Sequence, residues 1–101
     1  MNIILFSSSP TITNLVKNIL SNYNVVTSTN PNGFINSDYD MVIIEDNLFV
    51  KGVFDLKIPV LLITTESNLV GCMEVRQLGG LCINKPFTRD MLLNVMKSIT
   101  E

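Results

Sequence analysis

The chain contains no histidine and no tryptophan. Without an imidazole it lacks the side chain that most often serves as general base or zinc ligand. A serine nucleophile would find only Lys85 as a nearby base, so the expectation is that the protein is not an enzyme. Cations are scarce as well. Seven Lys and Arg face nine Asp and Glu, giving a net charge of −2 and a pI near 4.9. The basic residues are scattered singly, whereas a surface that follows a phosphate backbone needs them clustered, so no nucleic-acid partner is expected. Cysteine is limited to Cys72 and Cys82. Their spacing makes no CxxC motif, and two thiols without histidine are too few for a zinc site, so both are expected as small apolar residues, buried or half-buried. Apolar runs are of strand length only, short of the ~18 to 20 residues that cross a bilayer, so no membrane insertion is expected. Met1-Asn2-Ile3-Ile4-Leu5-Phe6 has neither a basic start nor a small-residue cleavage site, which points to a cytoplasmic protein without a signal peptide.

What is present is a rich supply of core. Of 101 residues, 47% are hydrophobic and only 16% charged, with a mean hydropathy of +0.37. Asn, Ser and Thr stand where surface charges are usual. The length suits one domain, residues 1–101, with a single core.

Ile3 to Phe6 is apolar without alternation, as in a strand buried on both faces. Ser9 and Pro10 then form an N-cap and first-turn pair, and Ile12, Leu15, Val16, Ile19 and Leu20 recur at helical spacing. Val25 to Thr27 reads as a second strand and Met41 to Ile44 as a third. Pro59 opens a fourth over Val60 to Thr64. Ser67 is placed to cap a helix carrying Leu69, Val70 and Met73, which Gly79-Gly80 would end. Leu81 to Ile83 is a short fifth strand. Thr88 caps a last helix with a stripe of Met91, Leu92, Val95, Met96 and Ile99. Strands alternating with helices predict an α/β fold: a doubly wound, five-stranded parallel sheet covered on both faces.

Two crossovers are short: thirteen residues, 28–40, and fifteen, 45–59. A parallel crossover takes about a dozen residues including its helix, so these middle crossover helices are shortened to a turn or two, or absent. Right-handed connections put both on one face, which is then thinly covered. Phe34, Ile35, Leu48, Phe49, Val50, Val53, Phe54 and Leu56 fall there. Either they fold down and fill the space, or they form a patch that a partner or a second copy covers as a homodimer.

Functional side chains of an open parallel sheet sit beyond the strands' carboxyl ends. Ser7, Ser8, Glu45, Asp46, Thr64, Thr65 and Lys85 all fall there. Ile3 to Phe6 followed by Ser7-Ser8-Ser9-Pro10, Tyr39 to Ile44 followed by Glu45, Pro59 to Ile63 followed by Thr64-Thr65, and Leu78-Gly79-Gly80 through Lys85-Pro86-Phe87 occur in that order. Together they resemble the receiver domain of response regulators, a flavodoxin-like, CheY-like family. In that family the four places hold an acidic pair, a phospho-accepting Asp, a Thr or Ser, and a Lys, and the Lys-Pro peptide is often cis. The resemblance spans nearly the whole chain and implies a signalling role.

The resemblance also marks departures. Ser7 and Ser8 stand at the acidic-pair positions and Glu45 at the acceptor position, while Thr64 and Lys85 are retained. The family's phosphotransfer uses Mg²⁺, a hard cation that favours carboxylates, and two neutral hydroxyls serve it poorly. Glu45 is a methylene longer than Asp, which misplaces its carboxylate for in-line attack. The aromatic switch position of the fifth strand holds Cys82 or Leu81. The resulting expectation is a stand-alone receiver-like domain that acts without phosphorylation, without metal or cofactor, through a protein partner. Lys85 is placed to pair with Glu45, as a fixed link or as a solvated relic. The family's docking face would comprise Leu69, Met73, Arg76, Gln77 and Leu81, with Phe49 and Phe54 as the alternative contact. Two other readings stay open. Asp46 would act as acceptor if the chain kinks after Glu45, or the Ser7–Thr11 loop at a helix N-terminus would hold phosphate or a nucleotide, as in small flavodoxin-like carriers.

Overall fold

A computed structural model describes residues 1–31, 38–49, 58–65, 69–77 and 79–100. Five strands, β1 (Asn2–Phe6), β2 (Asn24–Ser28), β3 (Met41–Glu45), β4 (Val60–Thr64) and β5 (Leu81–Asn84), form one parallel sheet. Their order is β2-β1-β3-β4-β5. The described helices are α1 (Pro10–Ile19), α2 (Leu69–Gln77) and α3 (Arg89–Thr100). This is the doubly wound α/β architecture that the sequence predicts. The chain steps outward from β1 to β2 and then returns to β3, so the topological switch point lies between β1 and β3.

Burial follows the sequence pattern. Every residue of β3 and β4 and four of the five in β1 are buried, as continuous apolar runs require when both faces are covered. Side-chain alternation then splits the core in two. Odd-numbered strand residues (Ile3, Leu5, Met41, Ile43, Leu61, Ile63, Ile83) meet Val16, Ile19 and Leu20 around α1 and Leu92 and Met96 of α3. Even-numbered ones (Ile4, Phe6, Val42, Ile44, Val60, Leu62) meet Val75 of α2.

Two of the helix starts are capped as expected, while Ser67, the expected cap of α2, lies outside the described residues. Ser9 Oγ accepts from the Ile12 amide at 3.3 Å, and Thr88 Oγ1 accepts from the Met91 amide at 3.1 Å. Leu15 and Met91 lie at the rims of their stripes and are exposed. At the end of α2, Gly79 adopts φ +86 and donates to the Arg76 carbonyl at 3.0 Å, while Gly80 donates to that of Val75 at 2.9 Å. Gly80 is obligatory for close packing. A Cβ there would lie 2.5 Å from the Val60 carbonyl oxygen and 2.6 Å from Val75 Cγ1.

The cysteines depart from the sequence expectation of two separate apolar residues. Cys72 and Cys82 are joined as a disulfide, with Cα atoms 5.7 Å apart. Cys82 is an even-numbered residue of β5, so it faces α2. Cys72 lies three residues before Val75, on the helix face that contacts the sheet. The thinly covered face also differs from its patch reading where it is described. Leu48 and Phe49 pack half-buried against the even-numbered core, with Tyr39 and Ile58. Phe34, Ile35, Val50, Val53, Phe54 and Leu56 lie outside the described residues, as do the lengths of any helices in the two middle crossovers. No described helix is long and apolar enough to cross a membrane.

Candidate functional site

The switch point between β1 and β3 determines which side chains meet. Ser7 follows directly on β1, and its amide donates to the Ser28 carbonyl at 3.0 Å, extending the ladder to β2. Glu45 is the last residue of β3, in register with Ile63 of β4. Lys85 follows β5, its amide bonded to the Thr64 carbonyl at 2.7 Å, and the Lys85-Pro86 peptide is cis. Ser7, Glu45 and Lys85 continue the odd-numbered face, so all three turn towards the α1–α3 side.

There they converge. The Ser7 hydroxyl donates to Glu45 Oε1, and Lys85 Nζ donates to Glu45 Oε2 at 3.1 Å. The same contact is an ion pair in which the Glu45 side chain is 5% exposed and that of Lys85 30%. Ser7 Oγ also accepts from the Ser9 amide at 3.1 Å, which ties the carboxylate through Ser7 to the start of α1. Both oxygens of this buried carboxylate therefore carry a donor. A buried charge requires such compensation, and the longer Glu side chain supplies the reach to find it in Lys85.

The even-numbered residues form a separate set. Thr64 Oγ1 donates to Asp46 Oδ2 at 3.1 Å, and the Asp46 amide continues the ladder by bonding the Ile63 carbonyl at 2.9 Å. Asp46 is half-buried and reaches Thr64, not Lys85. Ser8 is exposed, and its hydroxyl accepts from Asn47 Nδ2 at 3.1 Å. The sequence pattern did not single out Asn47. It sits in the turn after β3, closed by the Leu48 amide to the Glu45 carbonyl at 3.0 Å, where periodicity carries no signal.

The donor set fits Mg²⁺ poorly. Among the described residues the only carboxylate on the odd-numbered face of the site is Glu45, already engaged by an ammonium and a hydroxyl, and Ser7 and Ser8 add only neutral oxygens. Among the described residues no group of three or more His, Cys, Asp or Glu could hold a metal ion.

The docking candidates divide. Met73 is 60% exposed, and Arg76 and Gln77 are exposed beside it on α2. Val70, 69% exposed, adds to the same helix surface. Leu81 belongs elsewhere, because its odd parity packs it against the α1–α3 cluster. Phe49 is half-buried in the core under the other face. The side chain of Leu69 and all of Phe54 lie outside the described residues. A groove lined by Ser7, Ser8, Ser9, Pro10, Thr13, Asn14, Thr27, Ser28 and Thr29 opens beside the start of α1. It contains most of the Ser7–Thr11 loop.

No family model and no curated protein matches the sequence. Solved structures do. A response regulator protein from Burkholderia multivorans shares 20% identity at a TM-score of 0.70, over 99% of this chain and 94% of that one. Chemotaxis protein CheY4 of Vibrio cholerae shares 21% at 0.75, over 97% of each chain. The ChxR receiver domain of Chlamydia trachomatis shares 15% at 0.75, over 99% and 98%. At such identities the likeness is one of fold, and it covers almost the full length of all three: the chain has the fold of response-regulator receiver domains.

Proposed function

We propose that this receiver-fold domain is a cytoplasmic signalling module that works through protein contacts and without phosphorylation. One observation carries the reading: Glu45, at the acceptor position, is closed on one oxygen by Ser7 and on the other by Lys85. The lysine that would meet an incoming phosphoryl group is already paired inside the protein. Neutral Ser7 and Ser8 at the acidic-pair positions supply no charge for a divalent cation. The domain then presents one fixed arrangement of its strand ends, and the exposed α2 residues Val70, Met73, Arg76 and Gln77 form the docking surface. A protein partner is the ligand in this reading, with no enzymatic activity and no nucleic acid.

The test is incubation with Mg²⁺ and acetyl phosphate, followed by intact-mass measurement. The expected spectrum shows no phosphoryl adduct. An adduct that disappears in Asp46→Asn would instead assign Asp46 as a working acceptor and overturn the reading. A second reading is favoured by the hydroxyl-lined groove beside α1, which suits a phosphate or nucleotide held by the Ser7–Thr11 loop. Saturable shifts of the Ser7 to Thr11 amide resonances on adding inorganic phosphate or a nucleotide would support it, and unchanged resonances would remove it.

A further inference from the structure

We infer that Cys72 and Cys82 form a reversible redox-modification site whose state sets how firmly α2 is seated on β4 and β5. Three observations lead there. First, α2 is lightly anchored: among its described residues only Val75 is buried, while Val70 and Met73 stand exposed. Among the described residues, the disulfide and Val75 are therefore what fastens the helix to the sheet. Second, the bond is local. It spans ten positions of sequence, and it lies apart from the sheet centre, where β1, β3 and β4 are buried and paired without it. β5 itself keeps its ladder to β4 from Leu61↔Leu81 to Thr64↔Asn84. Opening the bond thus loosens one helix and leaves the core intact. Third, both cysteines are half-buried, which leaves the sulfurs within reach of a small thiol or disulfide. In a reducing compartment, protein disulfides are typically transient and regulatory.

The chemistry is thiol–disulfide exchange with a low-molecular-weight disulfide of the glutathione class. One cysteine thiolate attacks the small disulfide, forming a mixed disulfide and releasing one small thiol. The second cysteine thiolate then attacks the protein-bound sulfur, closing Cys72–Cys82 and releasing the other. Two electrons pass to the small disulfide, and the two cysteine protons end on the two released thiols. Reduction is the reverse. The inference takes its reducing compartment from the proposed cytoplasmic setting but stands otherwise on the position of the two cysteines, and it does not need the reading of Glu45.

The test equilibrates the native protein in a series of reduced and oxidised glutathione ratios, quenches in acid, alkylates free thiols and measures intact mass. Amide hydrogen exchange is followed in parallel samples. The expected result is a transition between two alkyl groups and none within the series. Exchange across residues 69–77 should be about tenfold or more faster in the reduced form, with β1, β3 and β4 amides unchanged. The Cys72→Ser/Cys82→Ser double variant should show the fast pattern at every ratio. The inference is overturned by thiols that stay free throughout, by a bond that survives fully reduced glutathione, by a persistent glutathione adduct, or by equal α2 exchange in the two states. Because the native chain supplies the main readout, poor folding of the double variant leaves the test intact.

Discussion

Glu45 is the residue on which the site turns, and its two partners are not equivalent. It is a nearly enclosed carboxylate, while Lys85 retains partial contact with water. Removing the lysine strands a buried charge, whereas neutralising the glutamate frees a cation that can turn to solvent. Lys85→Ala is accordingly expected to lower stability by about 1–3 kcal/mol, more than Glu45→Gln, with Ser7→Ala costing about 1 kcal/mol. Urea unfolding midpoints of the three variants check the ranking, and a larger loss for Glu45→Gln would contradict it. The Glu45–Lys85 pairing was legible in the sequence, because two strand ends on one sheet edge bring them together. The part played by Ser7 was not. In the sequence Ser7 marks only a neutral residue at an acidic-pair position or part of the Ser7–Thr11 loop, and its role as a donor emerges only when parity puts Ser7, Glu45 and Lys85 on one face. The same alternation explains why Asp46 meets Thr64 and not the lysine.

Among the elements, α2 is where sequence and structure differ most. Its helical span and the glycine stop were legible from Gly79-Gly80. Its seat on the sheet was not, since among the described residues it involves one buried valine and a cross-link between residues that look like ordinary apolar positions. The stripe from Cys72 to Val75, set against even-numbered Cys82, is the signal that would have found the bond. The two glycines are expected to respond differently to substitution. In Gly80→Ala the new methyl group meets the Val60 carbonyl and Val75, lowering stability by about 1–3 kcal/mol through overpacking. In Gly79→Ala the space is open but φ is +86, so the loss is about 1–2 kcal/mol and comes from the backbone alone. Thermal unfolding measures both. Hydrogen exchange separates them, with α2 opening in Gly80→Ala and little change along its first turns in Gly79→Ala.

For the molecule as a whole, the sheet is the shared wall of two cores. Apart from exposed Asn2, strands β1, β3 and β4 are buried along their length, which is why their unbroken apolar runs announced the fold so clearly. Edge strand β2 is exposed or half-buried throughout, and its short apolar stretch, Val25 to Thr27, stops one residue short of the strand at each end because polar Asn24 and Ser28 carry no apolar signal. Ile43→Ala, at the centre of the α1–α3 core, is expected to lose about 2–5 kcal/mol. Val26→Ala, exposed on β2, should stay within about 0.5 kcal/mol of the parent. Comparable losses at both sites, read from chemical denaturation, would contradict this division between centre and edge.

The central claim is that the acid at position 45 is permanently engaged by the protein's own serine and lysine. Its most direct test follows the side-chain carboxyl carbon of Glu45 and the ammonium of Lys85 by NMR during addition of Mg²⁺ and then acetyl phosphate. The account predicts that both resonances stay in place through the series. A saturable shift of Glu45 with Mg²⁺, or release of Lys85 when the phosphodonor is added, would contradict it.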